Sequence, residues 1–202
     1  MSVLNLVEST GTDDGSFSEN TSTYDNSSVA ATLGYYSGPR GIWALFGSVS
    51  GLSGATISSA ILTYQRQAIS GTLTACTVYA EDVTSSTYPT SAADAQGRTR
   101  TTAGVSFNPA ANPDTADIAS VIQELADSYD PSTILILHDS SEVSPTKYYN
   151  VYTYDSSSSV APTLDITYTA SGGGGGTTVI KLAGEGGLAG YGGLAGNGGL
   201  AG

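Results

Sequence analysis

Apolar and polar residues alternate along much of residues 1–170, which is the pattern of β-strands with one buried face. Residues 43–46 are apolar at every position, so we expect a central strand that is covered on both sides. Ile57 and Ile61 lie before and after an expected bulge or register change in one long strand. The predicted strands are 3–7, 43–46, 55–66, 72–81, 98–107, 133–137, 148–155 and 164–168.

One segment has a helical period instead. Asp117 is placed to cap the N-terminus of a helix that ends near Ser128. Its apolar residues recur at i, i+3, i+4 and i+7, namely Ile118, Val121, Ile122 and Leu125. Many strands separated by turns, together with one short helix, indicate an all-β fold: an antiparallel two-sheet jelly-roll sandwich over residues 1–170.

The charge balance narrows the possible partners. There are 18 acidic and 6 basic residues, for a net charge of -12. Because such a surface repels phosphate backbones, we expect no nucleic-acid partner. The single cysteine, Cys76, alternates with Val78 and Ala80 and is expected to be a small buried residue.

The sequence shows no signal peptide for export and no membrane-spanning segment. The N-terminus lacks a basic region followed by an apolar core of signal-peptide length, and no apolar run is long enough to span a bilayer. We therefore expect synthesis in a host cytoplasm. The hydroxyl-rich composition suits a protein that works outside a cell, and a virion protein released by lysis satisfies both conditions.

A strict glycine triplet occupies the last twenty residues. Leucine alternates with Glu185, Tyr191 and Asn197 between the glycines, so the side-chain pattern repeats every six residues. A triplet is typical of a polyglycine-II bundle or a collagen-like helix, while the six-residue period also allows a solenoid and the composition allows a flexible tail. The repeated positions are Gly184, Gly187, Leu188, Gly190, Gly193, Leu194, Gly196, Gly199, Leu200 and Gly202.

The region before this repeat divides into a hinge and a short β-prone segment. Residues 171–176 are a Gly-rich hinge, and residues 177–182 are an apolar segment that needs a partner strand. We expect residues 177–202 to mediate assembly, with a trimer favoured. The expected assembly residues are Val179, Ile180, Leu182 and, in the repeat, Tyr191 with the glycines and leucines named above as far as Leu200.

Several stretches, in order, resemble a known family. They are Gly54–Ala60 (GATISSA), 78–81 (VYAE), 98–103 (RTRTTA), 117–125 (DIASVIQEL) and 161–168 (APTLDITY). Together they resemble the DNRLRE-type jelly-roll domains over roughly residues 3–169. The resemblance implies a non-catalytic β-sandwich of the kind found in secreted bacterial proteins and phage structural proteins, some relatives being carbohydrate-binding modules. The Gly-Leu-Ala-Gly tail is similar to the C-termini of some phage virion proteins.

Two sets of residues are candidates for ligand binding. Tyr35, Tyr36, Tyr148 and Tyr152 offer flat apolar rings with hydroxyl groups, which suit a glycan or a protein surface; packing along the strands is the alternative. Asp13 and Asp14, with Glu19 nearby, offer oxygen ligands for Ca²⁺, although solvated loop charges have the same appearance.

Catalysis has little support in the sequence. The single histidine, His138, is followed by Asp139, and neighbouring residues on a strand point to opposite faces, so they cannot act as base and orienting group. We expect a structural role for His138, ion-pairing roles for Arg98 and Arg100, and no enzyme activity.

The resulting hypothesis is a virion structural protein, a head decoration or a head or tail fibre; the alternative is a glycan- or receptor-binding module tethered by its tail.

Overall fold

The computed structural model describes residues 1–171, which form two antiparallel sheets packed face to face. The smaller sheet has the order β1-β13-β6-β10. Its strands are β1 (Ser2–Val7), β6 (Thr56–Tyr64), β10 (Asp114–Asp117) and β13 (Thr163–Thr169). The first and last long strands of the domain, β1 and β13, are therefore neighbours.

The larger sheet has the order β7-β12-β4-β5-β11-β8-β9, and β2 pairs with both β5 and β3. Its strands are β2 (Asp14–Ser18), β3 (Tyr24–Asp25), β4 (Ala30–Tyr35), β5 (Pro39–Phe46), β7 (Arg66–Ser70), β8 (Cys76–Ala80), β9 (Val105–Ser106), β11 (Ile134–Ser140) and β12 (Tyr148–Tyr152). The prediction of an all-β, two-sheet antiparallel sandwich is confirmed.

The main core lies between the sheets and follows the predicted alternation. On β8, Cys76, Val78 and Ala80 are buried, while the residues between them are half-buried. The same alternation places Leu164 and Ile166 of β13 in the core. The predicted bulge in β6 is also present: Ser59 lies opposite Thr167 and Ile57 opposite Tyr168, so that Ser58 is the extra residue.

A second apolar layer covers the outer face of β5. The short helix α1 (Ala92–Gly97) contributes Ala92 and Ala95 to a buried cluster that contains Phe17 and Trp43, and Tyr24 stacks on the Trp43 indole with ring centroids 6.3 Å apart. This explains why β5 is apolar on both sides. The prediction of a single short helix was wrong, because the described residues contain two.

The second helix, α2 (Ala119–Ser128), is the predicted one, and it ends at the predicted residue. Its apolar side packs into the main core against β6. The cap position is Ile118 rather than Asp117. The Asp117 carboxylate still accepts a hydrogen bond from the Ala119 amide (3.0 Å) and a second from the Ala60 amide of β6 (3.0 Å), so it joins the helix to the sheet.

Two other predicted segments differ from the structure. The strand expected over 98–107 is reduced to an isolated bridge between Arg100 and Glu81, followed by the two-residue β9. The polar stretch 8–28 contains β2 and β3, which extend the larger sheet. The predicted hinge, apolar segment and glycine repeat lie outside the described residues, apart from Ser171.

Candidate functional site

Tyr36 and Tyr148 form an aromatic pair where β4 ends and β12 begins. Their ring centroids are 6.1 Å apart and the rings are nearly perpendicular, at 80°. Tyr36 is 59% exposed and Tyr148 is half-buried. With Arg40, described next, these residues form what we call the Tyr36 surface.

Arg40 completes this surface. Its guanidinium carbon lies 5.8 Å from the centroid of the Tyr36 ring, and its Nε donates a hydrogen bond to the Tyr36 carbonyl (3.0 Å). None of the ion pairs within residues 1–171 involves Arg40. A tyrosine ring beside a guanidinium can stack on a sugar ring and donate hydrogen bonds to hydroxyl or carboxylate oxygens.

The local backbone brings the two tyrosines together. Gly34 lies opposite Tyr148 in the β4–β12 pairing and has a φ of 103°. A Cβ at Gly34 would lie 2.6 Å from the Lys147 carbonyl oxygen, so any larger residue would push β12 away. Gly34 therefore fixes the close approach of Tyr148 to the turn that carries Tyr36.

The other two predicted glycan residues lie outside this pair. Tyr35 is half-buried at the last position of β4, opposite Pro39. Tyr152 lies at the other end of β12, four residues from Tyr148 and therefore roughly 13 Å along the strand. Of the four predicted tyrosines, the structure brings only Tyr36 and Tyr148 into ring contact.

The residues predicted to bind Ca²⁺ do not form one site. Asp13 and Asp14 lie at the start of β2, whereas Glu19 follows its end, so the length of the strand separates them. Asp13 Oδ2 closes its own loop by accepting hydrogen bonds from residues 9 and 10. Among residues 1–171, no group of three or more His, Cys, Asp or Glu side chains is arranged to hold a metal ion. The structure therefore does not bring the three predicted residues together.

Glu19 instead belongs to a polar cluster at the end of β11. Its Oε1 accepts a hydrogen bond from the Ser140 amide (3.1 Å). Burial, and secondarily the charge of Asp139, raise the pKa of Glu19 to about 7. Its contacts are within the protein.

His138 has the predicted structural position. It is fully buried, and its Nε2 shares a 2.8 Å hydrogen bond with the Tyr64 hydroxyl. Burial lowers the pKa of His138 to about 3, so the imidazole is neutral. Asp139 points to the other face of β11 and pairs with Arg100 (2.8 Å), as strand geometry requires.

The predicted ion-pair roles of the two arginines are confirmed. Arg98 binds both Glu81 (2.9 Å) and Asp94 of α1 (2.8 Å). Arg100 also donates hydrogen bonds to the carbonyl oxygens of residues 95 and 96 at the end of α1. Both side chains therefore hold α1 against the larger sheet.

The Tyr36 surface and the exit of the chain lie at opposite ends of the sandwich. Arg40 is near the start of β5 and Phe46 is its last residue, so the eight-residue strand spans about 25 Å. Val49, just beyond Phe46, donates a hydrogen bond to the carbonyl of residue 132, which precedes β11. At this same end, Ser171 Oγ donates a hydrogen bond to the Ser53 carbonyl (3.3 Å).

No protein-family model matches the chain, and a search of curated proteins finds no match. Neither helix in residues 1–171 is long and apolar enough to cross a membrane.

Proposed function

We propose that this chain is a non-enzymatic structural protein of a phage virion, a head decoration or a head or tail fibre. In this proposal the sandwich is a displayed head, and residues 177–202 fasten it to copies of itself or to other virion proteins. The Gly-Leu-Ala-Gly repeat and the resemblance to DNRLRE-type jelly-roll domains support this proposal.

The structural observation that carries it is the position of the chain exit. β13 is the last strand of residues 1–171, and Ser171 lies beside Ser53, at the end opposite the Tyr36 surface. A head attached at one end and carrying an exposed aromatic surface at the other has the geometry of a displayed module. The excess of acidic residues in the head keeps neighbouring heads soluble and apart.

The first experiment measures the mass of the full chain in solution against a version that ends at Ala170. We expect a trimer or a larger species that falls to a monomer on truncation. If both forms are monomeric, self-assembly through the tail is wrong, and attachment to a different virion protein becomes the proposal.

Point variants in the repeat refine this test. A valine at Gly190 places a branched side chain where neighbouring backbones would approach closely, so Gly190→Val is expected to lower the oligomer mass. Asn197→Ala, which adds no bulk, is the matched control and is expected to leave the mass unchanged. Equal masses for both variants would contradict close packing along the glycine ridge.

A second candidate function, glycan or receptor binding, is favoured by the Tyr36 surface. Tyr36 is exposed and the half-buried Tyr148 and Arg40 lie beside it, in a chain that is otherwise strongly acidic. Removing one ring of a stacking pair costs about 1 kcal/mol, so Tyr148→Ala should weaken polysaccharide binding roughly fivefold. Tyr152→Ala, on the same strand but away from the pair, is the matched control.

The measurement for this second function is a glycan array followed by affinity titration of the best binder. Absence of binding to any host polysaccharide would contradict it. Equal losses in the Tyr148→Ala and Tyr152→Ala variants would contradict the assignment to the Tyr36 surface.

A further inference from the structure

Two carboxyl groups are buried together where the chain passes from β1 to β2. Glu8 follows β1 and is 3% exposed, and Asp14 begins β2 and is 2% exposed. The two groups lie within hydrogen-bonding reach of each other. Both Glu8 oxygens and Asp14 Oδ1 have no hydrogen-bond partner among the described residues, so three carboxylate oxygens of this pair are buried without a donor.

The surroundings of this pair are negative. Asp13, which is also buried, is adjacent in sequence, and Asp155 lies against Gly11 so closely that a Cβ there would overlap its carboxylate. The ion pairs within residues 1–171 involve none of these four acids. The electrostatic neighbours of Glu8 and Asp14 are further aspartates, so no basic side chain compensates the buried charge.

Burial of carboxylates without compensation is costly, and buried charges in proteins are paired or bind metals. We propose that Glu8 and Asp14 hold a calcium ion that ties the end of β1 to the start of β2. Two carboxylates neutralise one divalent cation, and carboxylate oxygens are hard ligands that Ca²⁺ prefers.

The ligand set favours Ca²⁺ over a transition metal. No third His, Cys, Asp or Glu in residues 1–171 is arranged to complete a metal site, so backbone carbonyls, hydroxyls and water must supply the other ligands. Ca²⁺ accepts six to eight such oxygens in flexible geometry, whereas Zn²⁺ takes four ligands rich in histidine and cysteine. The one histidine and the one cysteine of the chain, His138 and Cys76, are both buried in the main core region.

The ion would connect three parts of the head. Asp14 Oδ2 accepts a hydrogen bond from the Tyr154 amide (2.8 Å), so the start of β2 is already joined to the loop after β12. Asp13 Oδ2 holds the loop between β1 and β2 through the Ser9 and Thr10 amides. A cation between Glu8 and Asp14 would close the remaining gap, at β1.

The test is calorimetric titration of the EDTA-treated full chain with CaCl₂, with thermal melts in CaCl₂ and in EDTA. We expect one Ca²⁺ per chain and a Tm several degrees higher with the ion. Glu8→Gln and Asp14→Asn should each abolish the heat and the Tm shift. Glu19→Gln is the matched control and should keep both, because Glu19 lies at the other end of β2.

Three results would overturn the proposal. One is the absence of heat and of a Tm shift in the wild-type chain, which needs no variant to fold. Another is a calcium response that persists in Glu8→Gln, because the ion would then bind elsewhere. The third is a chain that shows no response to calcium but is stabilised by Glu8→Gln. The two carboxyl groups would then share a proton, and the glutamine amide would supply the hydrogen bond that this proton makes.

Discussion

His138 makes the stability of the head sensitive to mild acid. The imidazole is fully buried, with the rings of Tyr64 and Phe107 both 5.1 Å away and nearly perpendicular to it. Burial lowers its pKa from 6.5 to about 3. Between these values the unfolded chain binds one proton more than the folded chain, so stability from this residue is complete above pH 6.5 and is lost as the pH falls towards 3.

The size of the loss follows from the pKa difference. Each pH unit below 6.5 costs about 1.4 kcal/mol, so lowering the pH to about 5 removes about 2 kcal/mol through His138 alone. Glu19 acts in the opposite direction, because its pKa is raised and its protonation favours the folded state. The total pH dependence is therefore a balance, and the contribution of His138 must be obtained by difference.

The variant His138→Gln isolates this contribution. A glutamine amide can still bond to the Tyr64 hydroxyl but does not titrate. Urea denaturation of both proteins between pH 7 and 4, followed by the fluorescence of the single tryptophan, Trp43, gives the two unfolding free energies. We expect the advantage of the wild type to shrink by about 1.4 kcal/mol per pH unit below 6.5. A difference that stays constant over this range would refute the assignment of a neutral, buried imidazole.

Three packing predictions can be checked by the same denaturation assay. Arg98→Ala leaves the buried Glu81 carboxylate without its partner and should cost about 3 kcal/mol, with Arg98→Lys intermediate; equal stability of all three proteins would contradict a structural ion pair. Ala95→Leu overfills the layer under α1 and should cost about 2 kcal/mol, whereas an unchanged Tm would show that this layer is loosely packed. Gly41→Ala places a Cβ 2.5 Å from a carbonyl oxygen of β11 and should cost about 3 kcal/mol, while Gly47→Ala, with nothing within 4 Å, is the neutral control.

The strands were predictable where one face of a strand is buried and the other is not. Val78 of β8 and Leu164 of β13 obey this rule, because a shift of one residue would turn their side chains out of the core. The bulge near Ile57 was predictable for the same reason, since the alternation changes phase there. The strand expected over 98–107 is only partly present, as the Arg100–Glu81 bridge and β9, and the side chains of Arg98 and Arg100 are held by ion pairs to acidic residues.

Helix α1 was missed although the sequence contains its signals. It has six residues, and its only buried residues are alanines, so it has almost no hydrophobic period. Ser91 nevertheless caps it by accepting a hydrogen bond from the Asp94 amide, a spacing typical of a helix start. The two-sided apolar pattern around Trp43 also required a cover on the outer face of β5, and α1 is that cover.

The buried pair Glu8–Asp14 shows why a site of this kind is harder to predict than a strand. Glu8 follows Leu4 and Leu6 at a spacing of two, so alternation continues the buried face of β1 to it, but an acidic residue at a strand end ordinarily faces water and its burial was not expected. Its position depends on where β2 joins the larger sheet beside β5, which is a long-range pairing. The aspartates beside it were visible as an acidic cluster, but Glu19 was grouped with them because the strand that separates these residues had not been predicted. Once β2 is recognised, Asp14 lies at one end of this strand beside Glu8, and Glu19 follows its other end beside β11. The two ends of one short strand therefore have different acidic surroundings.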